Sequence, residues 1–441
     1  MKTTQPDWER ITDDADRLFQ ELFPLCRSIT GDGTRETLQL LREISDFSLH
    51  EVPSGTACYD WKIPEEWNVR DAYVADSTGR RIIDFRVNNV HLVNYSIPFE
   101  GNLNFDELVP HLHTLPDLPG AIPYRTTYYN RDWGFCLSHE DFQKMDRSGQ
   151  YHVCVDATLA PGSLTYGEAR LPGDSGQEFL VTTYVCHPSL ANDNLSGVVL
   201  WTLLLRELQK MPHRHSYRFV IAPETIGALA YIARNEAAVK ALAGGFVITT
   251  VGGPGPIGYK PTWKGDSLID RAVRLAFRDL GIQGVEYAFD ASGSDERQYS
   301  TPGLRIPMGT ISKDKYYEYA YYHTSLDNLD FVRAEALVET MKVYLYAIQI
   351  LEADCTYRSL NPIGEPMLGK RGLYPKTGGA LRQKAAQSAA VFNELDAIRW
   401  VLFYADGSTS LLEIAEKTGF PMQFLAAAAG KLVARDLLVL E

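Results

Sequence analysis

The chain has 441 residues, of which 45% are apolar, and a formal net charge of -13. Its length exceeds what one hydrophobic core usually organises, so it predicts two or three domains. An acidic chain offers no general positive field to nucleic acid or anionic lipid, which argues against DNA as the partner of the whole chain.

The N-terminal residues lack a basic region followed by an apolar stretch, so no secretion signal is predicted. No segment approaches the roughly 20 apolar residues that span a bilayer, and we expect no membrane-bound protein. The six cysteines lack CxxC pairs, which is typical of reduced thiols; they stand at positions 26, 58, 136, 154, 186 and 355. These features together predict a cytoplasmic location.

Two amphipathic helices are predicted near the N-terminus, over residues 8–23 and 34–44. From about residue 60 the texture changes, because Trp, Tyr and Pro become frequent and short alternating runs appear, such as 81–85 and 89–95. We predict an inserted β-rich domain over residues 63–158. Residues 1–62 are then the first part of the domain that resumes at residue 159.

Residues 159–360 alternate between strand and helix patterns, which predicts an α/β fold with a mostly parallel sheet flanked by helices. The predicted strands are 179–185, 217–222, 245–251 and 305–311, and the predicted helices are 194–210, 226–242, 267–280 and 331–353. In open sheets of this kind ligands bind beyond the carboxyl ends of the strands. The segments that follow the strands are therefore where chemistry is expected.

A Pro- and Gly-containing segment at 361–366 marks a linker, and residues 361–441 predict a winged helix domain. Three short helices, 395–405, 410–417 and 421–435, precede a closing strand at 437–440. The turn at 406–409 carries hydroxyls that we expect to cap the second of these helices.

The charge of this C-terminal domain argues against DNA binding. Residues 362–441 contain nine Lys and Arg against eight Asp and Glu, and the third helix carries only Lys431 and Arg435. A DNA-reading helix concentrates positive charge to meet phosphates. We expect the alanine-rich helix to pack against protein, either the preceding domain or a subunit partner, which leaves a homo-oligomer open.

Two histidines and several carboxylates stand where the α/β pattern places chemistry. His187 and Asp193 follow one predicted strand, Glu224 follows the next, and His323 comes later. Imidazole and carboxylate are the ligands of a zinc ion that activates water. We predict that His187, Asp193 and His323 bind zinc, with Glu224 as the general base.

Each of these residues also has an ordinary interpretation. Asp193 would serve as the N-cap of the following helix, and Glu224 would be favoured by a helix N-terminus. Asp295 would be a turn residue, and His323 would pack between tyrosines. Their joint occurrence in this order favours the metal site.

The fragments together resemble the co-catalytic zinc exopeptidases, the family of aminopeptidases and glutamate carboxypeptidases. The resemblance rests on His187 with Ala191-Asn-Asp-Asn-Leu-Ser-Gly197, on Glu224-Thr-Ile-Gly227, on Ser294-Asp295 and on Tyr322-His-Thr-Ser-Leu-Asp327. It covers residues 160–355. Nearly the whole chain is similar to a bacterial aminopeptidase-like family with a β-rich insert and a C-terminal winged helix.

The resemblance implies that His187 is the first histidine ligand, Asp193 the metal-bridging aspartate, Glu224 the general base and His323 the last ligand. Two departures matter. The second glutamate of the family's Glu-Glu pair is Thr225 here, and the aspartate expected near position 249 is replaced by Val247-Ile-Thr-Thr-Val251. We therefore favour one zinc ion, although two weakly held ions stay open.

Other residues near these fragments are candidates for contacting substrate or orienting ligands. Asp295, Thr225, Tyr322 and Arg297 form this group. One of the tyrosines at 316, 317, 319, 321 and 322 would donate to an oxyanion, or all would simply pack. Arg27, Arg35 and Arg297 would clamp a carboxylate, although surface salt bridges are expected for each.

The leading functional prediction is a metallo-exopeptidase-like enzyme of the aminopeptidase type, a zinc-dependent hydrolase of a small peptide or another amide-containing substrate. A degenerate peptidase that binds a peptide or a modified sugar is the first alternative, motivated by Thr225. A metabolite-linked regulator whose winged helix binds DNA is the second. The resemblance also implies an occurrence alongside polysaccharide biosynthesis, so amide bonds on sugars are conceivable substrates.

Overall fold

The structure, a computed structural model, describes residues 6–374 and 392–441. The described residues form two compact units. The first unit contains the residues up to Ser267 and Gly284–Lys342, and the second contains Leu268–Gln283 and Val343–Glu441. Three cations of the C-terminal charge count, Lys376, Arg382 and Lys384, lie outside the described residues. No helix in the described ranges is both long enough and apolar enough to cross a membrane.

Twelve α-helices run along the described residues. In chain order they are α1 Trp8–Leu22, α2 Asp32–Arg42, α3 Phe105–Leu108, α4 His139–Lys144, α5 Gly197–Leu208, α6 Ile226–Lys240, α7 Leu268–Leu280, α8 Glu296–Tyr299, α9 Ala334–Ala353, α10 Glu394–Tyr404, α11 Leu411–Thr418 and α12 Met422–Val433. A π-helical turn over Ala191–Ser196 leads into α5. Helices at all six positions predicted for residues 8–44 and 194–353 are confirmed, with ends that shift by a few residues.

The strands of the same residues fall into one large sheet and several small ones. In chain order they are β1 Ser48–Pro53, β2 Ala57–Cys58, β3 Trp61–Lys62, β4 Glu66–Ala75, β5 Arg81–Asp84, β6 Phe99–Asn104, β7 Leu112–His113, β8 Phe135–Cys136, β9 Gln150–Ala160, β10 Ser163–Leu171, β11 Glu178–Tyr184, β12 Ser216–Ala222, β13 Gly244–Val247, β14 Gly258–Lys260, β15 Val285–Glu286, β16 Met308–Ser312, β17 Thr356–Ser359, β18 Asp406–Ser410 and β19 Leu438–Leu440.

The large sheet belongs to the first unit and has the order β1-β10-β12-β11-β13-β16-β14-β15. Its centre, β12-β11-β13-β16, is parallel, whereas β1, β10 and β14 pair antiparallel toward the edges. Six of the seven residues of β11 are buried, as expected for a parallel strand covered on both faces. The α/β fold class is confirmed.

The strand predicted over 245–251 ends at Val247. Ile248 N–H still donates to the Thr182 carbonyl oxygen of β11, but the N–H groups of residues 250 and 251 bond to side chains of the turn before α5. Val251 N–H donates to Ser196 Oγ at 3.0 Å, and Thr250 has a φ of +49° that breaks the extended chain. The prediction was therefore too long by four residues.

The β-rich segment contains a four-stranded antiparallel sheet in the order β5-β4-β9-β6. The alternating run at 81–85 contains β5, whereas the run at 89–95 forms no strand and makes isolated bridges at Leu92 and Asn94. Residues Asn89–His91 form a 3₁₀ turn, because the Asn88 side chain accepts a hydrogen bond from Val90 N–H at 3.0 Å. Such a local bond competes with strand pairing.

The second unit contains the three predicted C-terminal helices and the closing strand. β17 lies between β18 and β19 in a three-stranded sheet. The predicted capping hydroxyls are wrong: Ser408 and Thr409 bond to Asp406, whereas Ser410 caps α11 in a capping box with Glu413. On α12, Lys431 is paired with Glu394 at 2.5 Å, which leaves this helix with little free positive charge.

Candidate metal centre

Three side chains of the first unit converge on one point, and we call His187, Asp193 and His323 the metal group. One potential ligand atom from each lies within 4.8 Å of the other two. Asp193 Oδ2 is 3.0 Å from His323 Nε2 and 4.0 Å from His187 Nε2. Ligand atoms at about 2.0–2.1 Å from one tetrahedral zinc ion lie roughly 3.3 Å apart, close to these separations.

The fold brings these residues together at the carboxyl ends of parallel strands, as the sequence predicted. His187 follows β11, Glu224 follows β12, and Asp193 lies on the π-helical turn before α5. His323 comes from the loop between β16 and α9. The four residues span 137 positions of sequence and meet because adjacent strand ends share one edge of the sheet.

The two oxygens of Asp193 have different surroundings. Oδ1 accepts a hydrogen bond from Tyr184 Oη at 2.5 Å, and this hydroxyl is also 2.7 Å from Thr249 Oγ1. Oδ2 and His323 Nε2 are both buried and face each other at 3.0 Å, but their geometry is not that of a hydrogen bond and neither has another partner. A buried polar atom is costly without a partner, so these two orphaned atoms fit a cation between them. Of the two carboxylate oxygens, Oδ1 is therefore engaged by the protein and Oδ2 faces the space between the imidazoles.

The protonation of the group suits metal binding. Burial lowers the pKa of His187 to about 4, so the imidazole is neutral near pH 7. Against the effect of burial, His187 and His323 hold the pKa of Asp193 at about 2. Neutral imidazole and ionised carboxylate are the forms that bind metals.

Cys186 lies beside this group and was not predicted to do so. Its Sγ is 3.5 Å from His187 Nδ1 and accepts Glu224 N–H at 3.3 Å. Cys186, His187 and Glu224 therefore form a second set with ligand-like spacing. Burial raises the pKa of the Cys186 thiol well above its usual value, which makes this set the poorer metal site.

Glu224 is held next to a second carboxyl group. Thr225 N–H donates to Asp295 Oδ1 at 2.8 Å, so Asp295 fixes the backbone that carries Glu224. Burial and the charge of Asp193 raise the pKa of Glu224. Burial and the charge of Glu224 likewise raise the pKa of Asp295. A carboxyl group with a raised pKa is suited to exchange protons near neutral pH.

The remaining predicted candidates occupy different places. Tyr322 stacks on His323, with ring centroids 4.0 Å apart, and Arg297 is exposed on α8. Among the other tyrosines, Tyr316 donates to Glu296 and Tyr319 donates to Asp327, so both are engaged in packing contacts. Neither hydroxyl is left over for an oxyanion.

Two of the predicted arginines are engaged by groups of the protein itself. Arg35 forms ion pairs with Asp32 and Glu66, as expected. The surface salt bridge expected for Arg27 is wrong, since Arg27 is buried and donates through Nε to the carbonyl oxygen of His187 at 2.9 Å. Arg27 thus supports the segment that carries His187.

The segment that carries His323 ends at Asp327, for which the sequence predicted no role. Its carboxylate accepts the N–H groups of Asn192 at 2.6 Å and Asp193 at 2.9 Å, and Tyr319 Oη donates to it at 2.8 Å. Burial raises its pKa to about 7 despite these bonds. Asp327 therefore ties the His323 loop to the backbone of Asp193.

An Asp327→Ala variant is expected to lower the free energy of unfolding by about 2–3 kcal/mol, because two buried N–H groups lose their acceptor. Chemical denaturation of the purified protein measures this change. Asp330→Ala, at an exposed position of the same loop, is the matched control and should change stability by less than about 0.5 kcal/mol. Equal stability of the two variants would contradict the assigned contacts.

Backbone strain is concentrated around the metal group. Of the ten non-glycine residues with positive φ among those described, six lie in the segments that surround it. They are Tyr128, Ser189, Thr225, Thr250, Tyr317 and His323, with φ between +40° and +65°. Strained backbone persists where surrounding contacts hold it and clusters at functional sites.

Two family models and a curated relative match this chain. A family model described as a domain of unknown function (DUF4910) matches residues 16–354, and one described as winged helix-turn-helix matches residues 355–440. A Clostridium acetobutylicum protein is 44% identical over 423 residues, 96% of this chain and 95% of the relative. It is provisionally named a polysaccharide biosynthesis protein with an aminopeptidase-like domain.

Solved structures share the fold. A crystal structure from Clostridium acetobutylicum, provisionally described as a peptidase, is 41% identical with a TM-score of 0.91, covering 99% of this chain and 98% of the other. A zinc aminopeptidase from Bacillus subtilis is 15% identical with a TM-score of 0.56, covering 77% and 94% respectively. At that identity the likeness concerns the fold alone.

Proposed function

Since this chain belongs to the DUF4910 family, aminopeptidase-like in fold with a C-terminal winged helix-turn-helix domain, we propose that it is a zinc-dependent amide hydrolase. The substrate is a small peptide or another molecule with an accessible amide bond. The observation that carries the proposal is the pair of orphaned atoms, Asp193 Oδ2 and His323 Nε2, beside a neutral His187.

The donor set supports a single zinc ion held by His187, Asp193 and His323. A second ion would need both oxygens of Asp193, but Oδ1 is bonded to the Tyr184 hydroxyl. It would also need carboxylates at positions 225 and 249, where threonines stand. When bound, zinc polarises a carbonyl group and lowers the pKa of water.

Glu224 is proposed to move the protons of the reaction. Its carboxylate accepts a proton from the attacking water and returns it to the nitrogen of the departing amine. The raised pKa of Glu224 supports both transfers, because the proton is neither held too weakly nor too strongly near pH 7. Asp295 positions this carboxylate through the backbone of Thr225.

The threonines at 225 and 249 also favour a second candidate, a degenerate peptidase that binds a peptide or a modified sugar without hydrolysing it. The name of the Clostridium acetobutylicum relative supports a sugar-linked ligand for either candidate. Turnover of any amide by the purified protein separates the two, since only the hydrolase releases amine.

The test begins with metal analysis of the native protein by mass spectrometry, for which we expect about one zinc ion per chain. A panel of aminoacyl amides, dipeptides and N-acylated amino sugars then measures amine release. Chelation is expected to abolish turnover, and added zinc should restore it. Turnover that survives removal of all metal would contradict the proposal.

A further inference from the structure

The β-rich segment places the Tyr124 ring against the metal group, and Tyr128 is hydrogen-bonded to Tyr124. Tyr124 Oη and Tyr128 Oη lie 3.2 Å apart. The ring centroid of Tyr124 is 5.3 Å from that of His187 and 5.2 Å from that of His323, and the two imidazoles are 5.3 Å apart. The three rings form a nearly equilateral triangle, so Tyr124 forms one wall of the metal group.

Backbone contacts fix this wall to the loop that carries His323. Tyr124 N–H donates to the His323 carbonyl oxygen at 2.8 Å. Ser325 N–H donates to the Ile122 carbonyl oxygen at 2.8 Å, and Ile122 N–H donates to Ser325 Oγ at 3.0 Å. The position of the tyrosine pair relative to His323 is therefore set by backbone hydrogen bonds on both sides.

The tyrosine pair has two hydroxyl protons and uses one of them in the hydrogen bond between its members. A phenol is protonated near pH 7, so each hydroxyl of the pair carries one hydrogen. Within the described residues, each of these two hydroxyls has the other as its hydrogen-bonding partner. Tyr124 is only 6% exposed, whereas Tyr128 is partly open. Either hydroxyl can be the donor of this bond, so one of the two protons is used within the pair and the other is free. We assign the free proton to Tyr128, the more exposed of the two.

The backbone at Tyr128 is consistent with a functional position. Its φ is +40°, which is unfavourable for a large aromatic residue. The next residue, Tyr129, is 48% exposed and uses its hydroxyl to bond the Lys62 carbonyl oxygen. The strained turn therefore directs Tyr128 inward and Tyr129 outward.

We propose that Tyr128 donates a hydrogen bond to the carbonyl oxygen of the amide substrate, with Tyr124 as the positioning residue that orients its hydroxyl. This inference rests on the proposed function. The sequence had suggested an oxyanion donor among the tyrosines between 316 and 322. We instead assign this hydrogen-bond donor to the β-rich segment.

The proposed reaction is the attack of water on the amide carbonyl group. Water oxygen bonds to the carbonyl carbon, the π pair moves onto the carbonyl oxygen, and the water proton goes to Glu224. Tyr128 keeps its proton and donates a hydrogen bond to the oxygen as negative charge develops there, when such a bond is strongest. The pair on the oxygen then re-forms the C=O bond, the C–N bond breaks with its electrons going to nitrogen, and the proton on Glu224 passes to that nitrogen.

The test measures binding of an α-aminoalkylphosphonate, a tetrahedral anion, to zinc-loaded full-length protein by calorimetry. Tyr128→Phe is expected to weaken phosphonate binding at least about 10-fold, because one charge-assisted hydrogen bond is lost. Tyr124→Phe should weaken it by a smaller factor. Tyr129→Phe, the adjacent exposed position, is the matched control and should bind as the unmodified protein does.

Zinc affinity is measured separately by competition with a chelator and should be the same in all four proteins within about twofold. Failure of the unmodified protein to take up zinc would overturn the proposed function and this inference with it. If the zinc-loaded protein does not bind the phosphonate, the role of Tyr128 is overturned but the proposed function is not. The same holds if Tyr128→Phe binds the phosphonate as tightly as Tyr129→Phe does. The phenylalanine variants keep the rings, so the contact between Tyr95 and residue 128 survives.

Discussion

Glu224→Gln is expected to reduce amide turnover by about 100- to 10,000-fold while the protein keeps its zinc. Glutamine has nearly the same shape as glutamate but cannot accept a proton from water. The metal group does not include Glu224, so zinc content should not change. Steady-state kinetics on the best amide of the panel, with metal analysis of the same sample, measures both quantities.

The matched control is Glu43→Gln, an exposed glutamate just after α2. It should retain the full rate. A Glu224→Gln protein that retains the full rate would show that another group removes the proton. Loss of zinc together with loss of turnover would instead indicate that Glu224 is a ligand, which the second set of converging residues allows geometrically.

His187→Gln is expected to weaken zinc binding by more than about 100-fold, the upper range for loss of a residue that merely supports a ligand. Glutamine preserves much of the side-chain volume beside Tyr124 and Tyr184. The loss of zinc affinity is then caused by the missing imidazole and not by a cavity in the protein. Zinc affinity is measured by chelator competition, and stoichiometry by mass spectrometry.

His152→Gln, on a half-exposed histidine of β9, provides the control and should bind zinc normally. A His323→Gln variant should behave like His187→Gln, because both imidazoles face the same carboxylate. Full zinc content in both variants would refute the metal group. Loss of zinc in His187→Gln alone would place the ion with His187, Cys186 and Glu224. Loss of zinc in His323→Gln alone would place it with Asp193 and His323.

Much of the fold could be predicted from periodicity. The buried runs of β11 and β12 and the amphipathic α1 have patterns that depend on neighbours along the chain, and these are visible in the sequence. The helices and the closing strand after residue 393 could also be predicted, because their patterns likewise depend on neighbours along the chain. Where side chains compete for backbone groups, as Asn88 and Ser196 do, the pattern predicted strands that do not form or end early.

The candidate site was predicted in part. The order of His187, Asp193, Glu224 and His323, each in a segment beyond a strand, indicated a common edge of the sheet. The sequence also showed that threonines replace carboxylates at 225 and 249, and so favoured one ion over two. Those conclusions need only residue types and the rule that parallel strands end together.

Tertiary structure alone decided which neighbours complete the site. Tyr184 donates a hydrogen bond to Asp193, and Asp327 accepts the N–H groups of Asn192 and Asp193. Tyr124 packs against His323, 199 positions away, which is the largest separation among these contacts. No local period marks such pairs, because their meeting depends on how whole strands and loops pack. The types of the metal-binding side chains could therefore be predicted from the sequence. Their protonation states and hydrogen-bond partners depend on burial, which only folding creates.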